Sequence, residues 1–489
     1  MRSESSSRAS NPGIARRLFS WLDVRADVDQ LLRVALAEPI PGGASLAYVF
    51  GSGLLFLFLS QFITGIFLAM YYVPSADHAH VSVAYMVKVV HSGAFLRSIH
   101  AYGSSAVIIV LLFHLMQVYT WGAYKGRREL AWLAGMVLLF LMATMAFTGY
   151  LLPWDQNSYF ATTVGTNLIS EIPWVGEGLK ELLLGGTTMG TLTLSRFFVI
   201  HVFFVPFLIF MFVALHVYLF RKAGAAGPVT EDPLHPRLPS EMFYPRQLGM
   251  DLAFVFLIMS VLGLMSLLRP YELGPAADPA HTQYLPRPEW FYRPMFQELK
   301  YFPGSLEIVG ILVIPGILIG LLIALPFIDR SRERRPWKRP IAMGAFALVL
   351  AAMVAMGALS FWQDSHDPAV ATQIKKQHEE TAQYMKAPFK PTSTGVLQPA
   401  ASTTSTNPAV LTGKTIFTGQ GCNSCHGDGG VGTSMAPSLV GIRSKFANDQ
   451  LATIIRHPPP NISAGGMPSF KLSDSQMQSL LEYLDSLKQ

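Results

Sequence analysis

The sequence has 489 residues, of which 51% are hydrophobic and only 14% are charged. This composition excludes an ordinary soluble globular protein, and the length exceeds that of one simple domain. The net charge of +6 does not indicate nucleic-acid binding, because the basic residues lie in segments between long apolar runs.

Seven apolar segments are each long enough to cross a bilayer, so the sequence predicts an all-α, multi-pass membrane protein. No cleavable signal peptide is expected before the first segment. Basic residues cluster before the first segment and in the loops after the second, fourth and sixth. The positive-inside rule then places the N-terminus in the cytoplasm and the C-terminus on the outer side. The predicted segments are 47–72, 95–121, 131–153, 196–221, 248–269, 306–328 and 340–362.

The second and fourth segments each carry two histidines. His100 and His114 are fourteen positions apart, which places both imidazoles on one helix face and separates them by about 21 Å along the axis. His201 and His216 are fifteen apart and about 60° off a common face. If the helices face each other, His100 pairs with His201 near the outer side and His114 with His216 near the inner side. Each pair can ligate one haem iron axially, although polar residues simply satisfied between helices are the alternative.

Glycines repeat the same spacing on the neighbouring segments. Gly51 and Gly65 lie on the first, and Gly135 and Gly149 on the third, fourteen positions apart in each case. A missing side chain gives the edge of a flat macrocycle room against the backbone, so these four glycines are predicted to be cofactor-binding. Close helix packing by small residues is the alternative.

A soluble domain of about 80 residues is expected after the last segment, and it contains the sequence CNSCH. This is the pattern of covalent c-type haem attachment, with Cys422 and Cys425 as thioether anchors and His426 as proximal iron ligand. A redox disulfide or half a zinc site is the alternative. Met467 is the predicted sixth ligand, because Pro468 stiffens its loop, and Met435 competes with it.

These features divide the chain into five parts. A cytoplasmic arm with a surface helix near 18–37 precedes a four-helix bundle, a three-helix part, a low-complexity linker whose core is 391–408, and the haem c domain. The linker is flexible or, alternatively, packed against the membrane part. The predicted boundaries are 1–46, 47–225, 226–362, 363–408 and 409–489.

Together with the histidine and glycine spacings, the sequences GYLLPWDQ at 149–156 and PEWFY at 288–292 make residues 40–362 resemble the cytochrome b subunit of quinol-oxidising cytochrome bc complexes. The C-terminal 80 residues resemble a class I cytochrome c. The fifteen-residue histidine spacing, RKAGAAGP after the fourth segment and the seven spans are similar to the chloroplast-type bf branch. That branch attaches an extra haem to a cysteine in the first segment, where Val49 stands here, so a covalent third membrane haem is excluded.

The resemblance implies roles for further residues. Glu289 would be catalytic as the acceptor of a quinol proton, unless it is only an interfacial loop carboxylate, and Tyr150 would be a second catalytic residue lining the same quinone pocket. Tyr292 would also bind quinone there, whereas Phe291 stands where much of the family has tyrosine. Arg97 and Arg196, just before the outer histidines, would bind haem propionates or, alternatively, extend to the membrane surface. Arg221 would be the basic residue beside the inner quinone site.

The implied function is a quinol:cytochrome c oxidoreductase, or one using an equivalent acceptor, with two non-covalent b haems and one covalent c haem. One quinol electron passes through the b haems to an inner quinone site, and the other passes through a separate Rieske iron–sulfur protein to the fused cytochrome c, coupled to proton translocation. The expected setting is a homodimeric complex in the bacterial cytoplasmic membrane, which uses the quinone pool and a downstream acceptor. A di-haem anchor for a dehydrogenase and a transporter with structural histidines are the competing hypotheses.

Overall fold

The structure is a computed structural model that describes residues 14–228, 239–279, 281, 284–391, 407–430, 432, 436–459, 467 and 469–487. Within these ranges it is almost entirely helical, with one short antiparallel pair of strands, β1 (Pro39–Pro41) and β2 (Ser240–Met242). The predicted all-α fold class is confirmed.

Seven helical spans among the described residues are long and apolar enough to cross a membrane. Each overlaps one of the seven predicted segments, with ends that differ by a few residues, so the predicted multi-pass architecture is confirmed. The spans are Leu46–Ala69, Gly93–Thr120, Glu129–Tyr150, Thr191–Ala223, Phe243–Leu268, Val309–Ile328 and Pro340–His366.

The helices up to residue 386 include these spans and several shorter elements. In chain order they are α1 (Ile14–Ala26), α2 (Val28–Leu36), α3 (Val49–Ala69), α4 (Ala79–Lys88), α5 (Gly93–Thr120), α6 (Glu129–Tyr150), α7 (Gln156–Ser170), α8 (Gly176–Leu184), α9 (Thr191–Val199), α10 (Val205–Ala223), α11 (Leu248–Leu268), α12 (Arg293–Leu299), α13 (Ile314–Ile328), α14 (Pro340–His366) and α15 (Pro368–Lys386). A π-helical turn, Ile200–Phe204, joins α9 to α10 within the fourth span.

The first four spans pack as a bundle around an apolar core. Phe58 of α3, Leu141 of α6, and Val205 and Ile209 of α10 form one buried cluster, and α11 adds Leu262 to a second cluster on α3 and α5. Burial of large side chains of this kind contributes roughly 1.5–3 kcal/mol each in water, whereas helices in lipid associate mainly through close packing. The bundle therefore holds α5 and α10, the two histidine helices, in fixed positions.

The loop after the third span contains α7 and α8. Asp155 begins α7: its Oδ1 accepts the Ser158 amide at 2.9 Å, while its Oδ2 accepts the Gly274 amide at 3.1 Å. An aspartate before the first turn of a helix satisfies an otherwise unpaired donor. Through its hydrogen bond with Gly274, the same carboxylate also connects the loop after the fifth span to the loop after the third.

The segment after the seventh span differs from the predicted flexible linker. Residues 363–366 complete α14. Tyr384 and Met385 of α15, and Phe389 just after it, then pack against Met86 of α4 and Leu273. Asp367 caps α15 by accepting the Ala369 amide at 3.0 Å. The capping aspartate and the apolar side chains favour an ordered helix, which the polar composition of the stretch concealed. Residues 392–406 of the predicted linker lie outside the described residues.

The C-terminal domain contains α16 (Pro408–Gly419), α17 (Cys422–His426), α18 (Asn448–Arg456) and α19 (Asp474–Ser486). Its core combines Phe417 of α16 with leucines of the last helix, and the Phe417 and Tyr483 ring centroids are 5.4 Å apart. A Cβ on Gly413 would lie 2.0 Å from the Ser479 carbonyl oxygen, so only glycine permits this close crossing of α16 and α19. The apolar face of α19 is buried: Leu480, Leu481, Leu484 and the following Leu487 are all at most 9% exposed.

Candidate functional site

The first histidine pair consists of His100 on α5 and His201 in the π-helical turn of the fourth span. Their ring centroids are 6.3 Å apart. His100 Nδ1 lies 2.9 Å from the Thr64 hydroxyl, and His201 Nδ1 lies 3.1 Å from the Met145 carbonyl oxygen. Each hydrogen bond fixes the ring orientation and leaves the other ring nitrogen free to ligate a metal.

The second histidine pair consists of His114 on α5 and His216 on α10. The two imidazoles lie close enough to interact electrostatically. Both Nδ1 atoms are buried without a hydrogen-bond partner among the described residues, although the Ala131 backbone lies near the His216 ring. The structure therefore brings together the same two pairs that the helical spacing predicts.

The four predicted glycines each contact one of these imidazoles. A Cβ on Gly149 would lie 2.4 Å from His201 Cε1, and one on Gly65 would lie 3.3 Å from His100 Cε1. The corresponding distances to the second pair are 3.3 Å from Gly135 to His216 and 3.6 Å from Gly51 to His114. In this structure the missing side chains leave room for the imidazole rings, and the predicted room for a macrocycle edge stays a prediction.

These observations fit two bis-histidine haem sites. The separation in the first pair leaves room for one metal atom between the rings, and both histidines line a cavity of about 1800 Å³. In the second pair, the unpartnered buried Nδ1 atoms are costly unless the rings serve a further purpose. The residues that would hold the two groups are His100 with His201 and His114 with His216.

The three predicted basic residues all contact the backbone of neighbouring segments. Arg97 is 8% exposed, lines the larger cavity, and donates to the carbonyls of Tyr271 at 2.8 Å and Glu272 at 3.1 Å. Arg196 donates to the Leu182 carbonyl of α8. Arg221 donates to the Val34 carbonyl of α2 at 2.9 Å. In the structure all three arginines thus hydrogen-bond to the backbone of loops or surface helices. Their predicted contacts with haem propionates and quinone stay predictions.

A second cavity of about 370 Å³ lies beside the first, and its lining is almost entirely apolar. Tyr292 lines this smaller cavity, and its hydroxyl donates to the Ala143 carbonyl at 2.9 Å. Phe291 lines only the larger cavity. Glu289 and Tyr150 line both cavities, so the two predicted catalytic residues stand in the wall that the cavities share.

Among the described residues that line the smaller cavity, Glu289 carries the carboxyl group. Its Oε1 accepts a hydrogen bond from the Tyr271 hydroxyl at 2.8 Å. Burial raises the pKa of the Glu289 carboxyl, although Tyr271 and the nearby Arg293 oppose the shift. A carboxylate with a raised pKa, placed between an apolar and a more polar cavity, is suited to accept a proton on one side and release it on the other.

Sequence reasoning missed several residues that shape this site. Tyr271 holds Glu289, and Asn157 donates to the Tyr150 hydroxyl while its Oδ1 accepts the Arg287 amide at 3.3 Å. Tyr271 and Asn157 lie far from Glu289 in sequence and belong to no recognisable motif. Asp364, also missed, is a carboxylate near the end of a predicted span, and an ionisable group there is a signal for function.

The c-type site lies in the C-terminal domain. The His426 Nδ1 atom is 2.9 Å from the Pro437 carbonyl oxygen, which orients the ring and leaves Nε2 available for iron. Cys422 and His426 begin and end α17, and Met467 packs against the domain core. The side chain of Cys425 and all of Met435 and Pro468 lie outside the described residues. The donor set present fits one covalent haem.

Family comparisons agree with this arrangement. Residues 36–224 match the family model "Cytochrome b/b6/petB", residues 276–376 match "Cytochrome b(C-terminal)/b6/petD", and residues 408–484 match "Cytochrome C oxidase, cbb3-type, subunit III". The last of these family names is consistent with the C-terminal domain being a cytochrome c.

Similar proteins carry related names. Cytochrome b/c1 of Bradyrhizobium diazoefficiens is 33% identical over 356 residues, which are 72% of this chain and 50% of that protein, so the chain spans half of this relative's length. Cytochrome b of Mycosarcoma maydis is 34% identical over 63% of this chain and 78% of that protein. A solved structure described as "Hyperthermophilic respiratory Complex III" has a TM-score of 0.62 and 26% identity, and covers 75% of this chain and 96% of that one.

The two histidine pairs, the cavity wall at Glu289 and the C-terminal haem-binding motif occur in segments that these comparisons cover. The chain therefore belongs to the cytochrome b family, and is the cytochrome b of a bc-type, complex III-like complex fused to a C-terminal cytochrome c domain.

Proposed function

We propose that the chain oxidises quinol near the outer membrane face, as the catalytic cytochrome b subunit of a quinol:cytochrome c oxidoreductase or of one using an equivalent acceptor. The observation that carries this proposal is the position of Glu289 in the wall between the apolar cavity and the larger cavity, with its carboxyl bonded to Tyr271. The apolar cavity of about 370 Å³ suits a quinone ring, and lipid-soluble substrates enter such pockets from the membrane.

Quinol loses two electrons and two protons when it is oxidised. Glu289 accepts one proton and the second leaves to the aqueous phase on the outer side, while Tyr150 and Tyr292 line the quinol pocket and orient the ring. Because the pKa of Glu289 is raised, it lies closer to the pH of the medium. The carboxyl can therefore both accept and release a proton rapidly. When bound, the two b haems and the c haem supply one-electron redox chemistry along the two branches that the electrons follow. Arg221 would serve the inner quinone site on the opposite side.

The remaining parts of the proposal concern partners and place. A Rieske iron–sulfur protein is proposed as a separate polypeptide that accepts the first electron, because both cysteines of the sequence belong to CNSCH. The name of the similar structure, a respiratory complex III, supports membership of such an assembly. The homodimer and the use of the quinone pool are proposed from the family resemblance. The basic loops support an orientation with the N-terminus inside and the cytochrome c domain on the outer side. The bacterial cytoplasmic membrane and outward proton translocation are proposed from the family resemblance.

The proposed domain division follows the same scheme. An N-terminal arm to residue 46 precedes the di-haem bundle at 47–225 and the quinol-pocket part at 226–362. Residues 363–408 then connect to the cytochrome c domain at 409–489. Attachment within one chain keeps the c haem at a high effective concentration near its electron donor, so that reduction does not depend on a diffusing cytochrome.

The substitution Glu289→Gln tests the proposed role. We expect quinol oxidation by the purified complex to slow by about 10²-fold, because a glutamine cannot accept the proton, while all haems remain bound. In the unaltered protein, kcat/KM should rise with pH as the Glu289 carboxyl deprotonates through its raised pKa, and this dependence should disappear in the variant.

Glu298→Gln is the matched control. Glu298 lies on α12, burial also raises its pKa, and it is absent from the described lining of both cavities. Its replacement should leave the rate and the pH profile within about two-fold of the original. A rate in Glu289→Gln that matches this control over the whole pH series would remove Glu289 from the mechanism.

A further inference from the structure

The segment that carries Glu289 is flanked on both sides by arginines that contact one carboxylate. Arg287 directly precedes residues 288–292, and Arg293 directly follows them. Arg287 donates from Nε and Nη2 to the two carboxylate oxygens of Asp364, each at 2.9 Å. Arg293 donates from Nη1 to Asp364 Oδ2 at 2.7 Å. One side chain near the end of α14 thus holds both ends of the loop.

The cluster is buried and its parts are fixed. Asp364 is 9% exposed, and the side chains of Arg287 and Arg293 are 18% and 11% exposed. The Arg293 guanidinium also lies 4.0 Å above the ring of Phe361, one turn before Asp364 on α14. Charged groups removed from water in this way form short, directional bonds that resist rearrangement.

The same contacts reach the quinol pocket through the backbone. The Arg287 amide donates to Asn157 Oδ1 at 3.3 Å, and its carbonyl accepts the Tyr150 hydroxyl at 3.4 Å. A shift of Arg287 would therefore move the loop and Tyr150 together. Glu289, two residues further on, is bonded by its side chain to Tyr271 near the start of the same loop, so both its backbone and its carboxyl are held.

We infer that Asp364 is a positioning residue for quinol oxidation: by holding Arg287 and Arg293 it fixes residues 288–292, and with them the Glu289 carboxyl, in the wall between the two cavities. This inference rests on the proposed function of Glu289. Asp364 itself neither accepts the quinol proton nor contacts a haem ligand; it acts through the two arginines.

Only a carboxylate can make this set of bonds. Two parallel bonds from one guanidinium require two acceptor oxygens, and the third bond requires a further lone pair on one of them. An asparagine offers a single acceptor oxygen and two donors, so at least one buried arginine N–H would face an N–H group. Asp364→Asn should therefore release the loop without changing the size of the side chain.

The test uses the intact complex in detergent, with decylubiquinol and a menaquinol analogue as the two substrate probes. Reduced-minus-oxidised spectra report the haem content, and stopped-flow reduction of the chain's own haems reports kcat and KM. We expect Asp364→Asn to retain its haems and to lose at least ten-fold in kcat/KM, because small displacements of a catalytic group cost about that much or more. Asp364→Glu, which restores the charge and both oxygens, should recover part of the loss.

A double variant that combines Asp364→Asn with Glu289→Gln distinguishes a loss of positioning from a general loss of protein stability. If Asp364 acts through Glu289, Asp364→Asn should lower the rate by less than about two-fold in the Glu289→Gln background. The matched control is Asp329→Asn. Asp329 is likewise a carboxylate that accepts several donors, from Lys125 at 2.6 Å and Tyr124 at 2.7 Å, and Arg339 at 3.3 Å, but it lines neither cavity among the described residues. Asp329→Asn should change the rate of quinol oxidation by the same factor in the Glu289→Gln background as in the unaltered protein.

The outcomes distinguish the inference from the function on which it rests. An unaltered rate in Glu289→Gln would overturn the proposed function. A slow Glu289→Gln protein together with a normal Asp364→Asn protein, or with fully multiplicative effects of the two changes, would overturn the role of Asp364 alone. If Asp364→Asn loses its haems, Arg287→Lys carries the test, because lysine keeps the charge but cannot donate two parallel bonds. A normal rate in that variant would also overturn the inference.

Discussion

The two histidine pairs have the same sequence pattern but different surroundings. In the first pair, both Nδ1 atoms contact polar groups, the Thr64 hydroxyl and the Met145 carbonyl oxygen. In the second pair, both Nδ1 atoms lack a hydrogen-bond partner within the part of the chain that the structure describes. Helical spacing determines where an imidazole lies, whereas its tautomer and orientation depend on a second residue that the spacing does not reveal.

The glycines show the same contrast in packing. The two that face the first pair would bring a Cβ to 2.4 and 3.3 Å from imidazole atoms, and the two that face the second pair to 3.3 and 3.6 Å. The first pair is therefore the more tightly enclosed of the two. It also lines the cavity that Glu289 and Asp364 line, so under the proposed function it is the pair nearer the quinol.

Removal of a histidine tests whether the pairs are independent, and it should have the largest effect. We expect His216→Leu, like His114→Leu, to remove one b haem, because a single remaining imidazole cannot supply both axial ligands, while the c-haem signal is retained. His201→Leu should remove the other b haem. Pyridine haemochrome analysis would then give half of the original haem b in each variant, with an unchanged ratio of haem c to protein.

Redox titration of the same variants identifies which haem is lost. The remaining b haem of His201→Leu should titrate at a different potential from the one that remains in His216→Leu. Loss of both b haems in either single variant, with the c haem intact, would contradict two separate sites and would favour one shared site.

Alanine substitution of the glycines tests the difference in packing, with an intermediate effect. A methyl group at Gly149 cannot be accommodated unless the His201 ring moves, because their separation of 2.4 Å is far below van der Waals contact. At Gly51 the same methyl group would lie 3.6 Å from His114, an ordinary contact. We therefore expect Gly149→Ala to lose most of one b haem and Gly51→Ala to retain both. Equal haem retention in the two variants would show that the enclosure of the first pair is not rigid.

Much of this architecture could be predicted from the sequence because it depends on periodic patterns. The seven spans follow from apolar length, and the two histidine pairs from spacings of fourteen and fifteen residues. CNSCH predicts the c-type site because its chemistry requires three residues within five positions. These signals are local, so tertiary packing does not alter them.

The supporting contacts could not be predicted, because they join residues far apart in the chain. Tyr271 approaches Glu289 only after the loop folds back, and Asp364 lies more than seventy positions beyond the loop it holds. The helix α15 was missed for a related reason: its sequence is polar, and only a few side chains, such as Tyr384, pack inwards against α4. A linker and a docked amphipathic helix share this composition.

Substitution of Thr64 should have the smallest effect. It tests the hydrogen bond to His100, which distinguishes the first pair from the second. The Thr64 hydroxyl donates to the Ser60 carbonyl at 2.8 Å, so at 2.9 Å its lone pair accepts the proton of His100 Nδ1. Thr64→Val keeps the shape but removes the hydroxyl that accepts this proton, and leaves only the Gln61 backbone near the ring. The imidazole then becomes a weaker base and stabilises oxidised iron less, so the reduction potential of the first-pair haem should rise.

We expect a shift below about 59 mV, which corresponds to a tenfold change in a one-electron equilibrium, without haem loss. Spectroelectrochemical titration measures it, and the second-pair haem in the same sample is the internal reference. Thr144→Val is the matched control, because among the described residues the half-buried Thr144 hydroxyl donates to the Phe140 carbonyl of its own helix and not to a histidine. If the potential of the first-pair haem falls, or stays equal to that of the control, the Thr64 hydroxyl does not strengthen His100 as a ligand. The two pairs would then differ in packing alone.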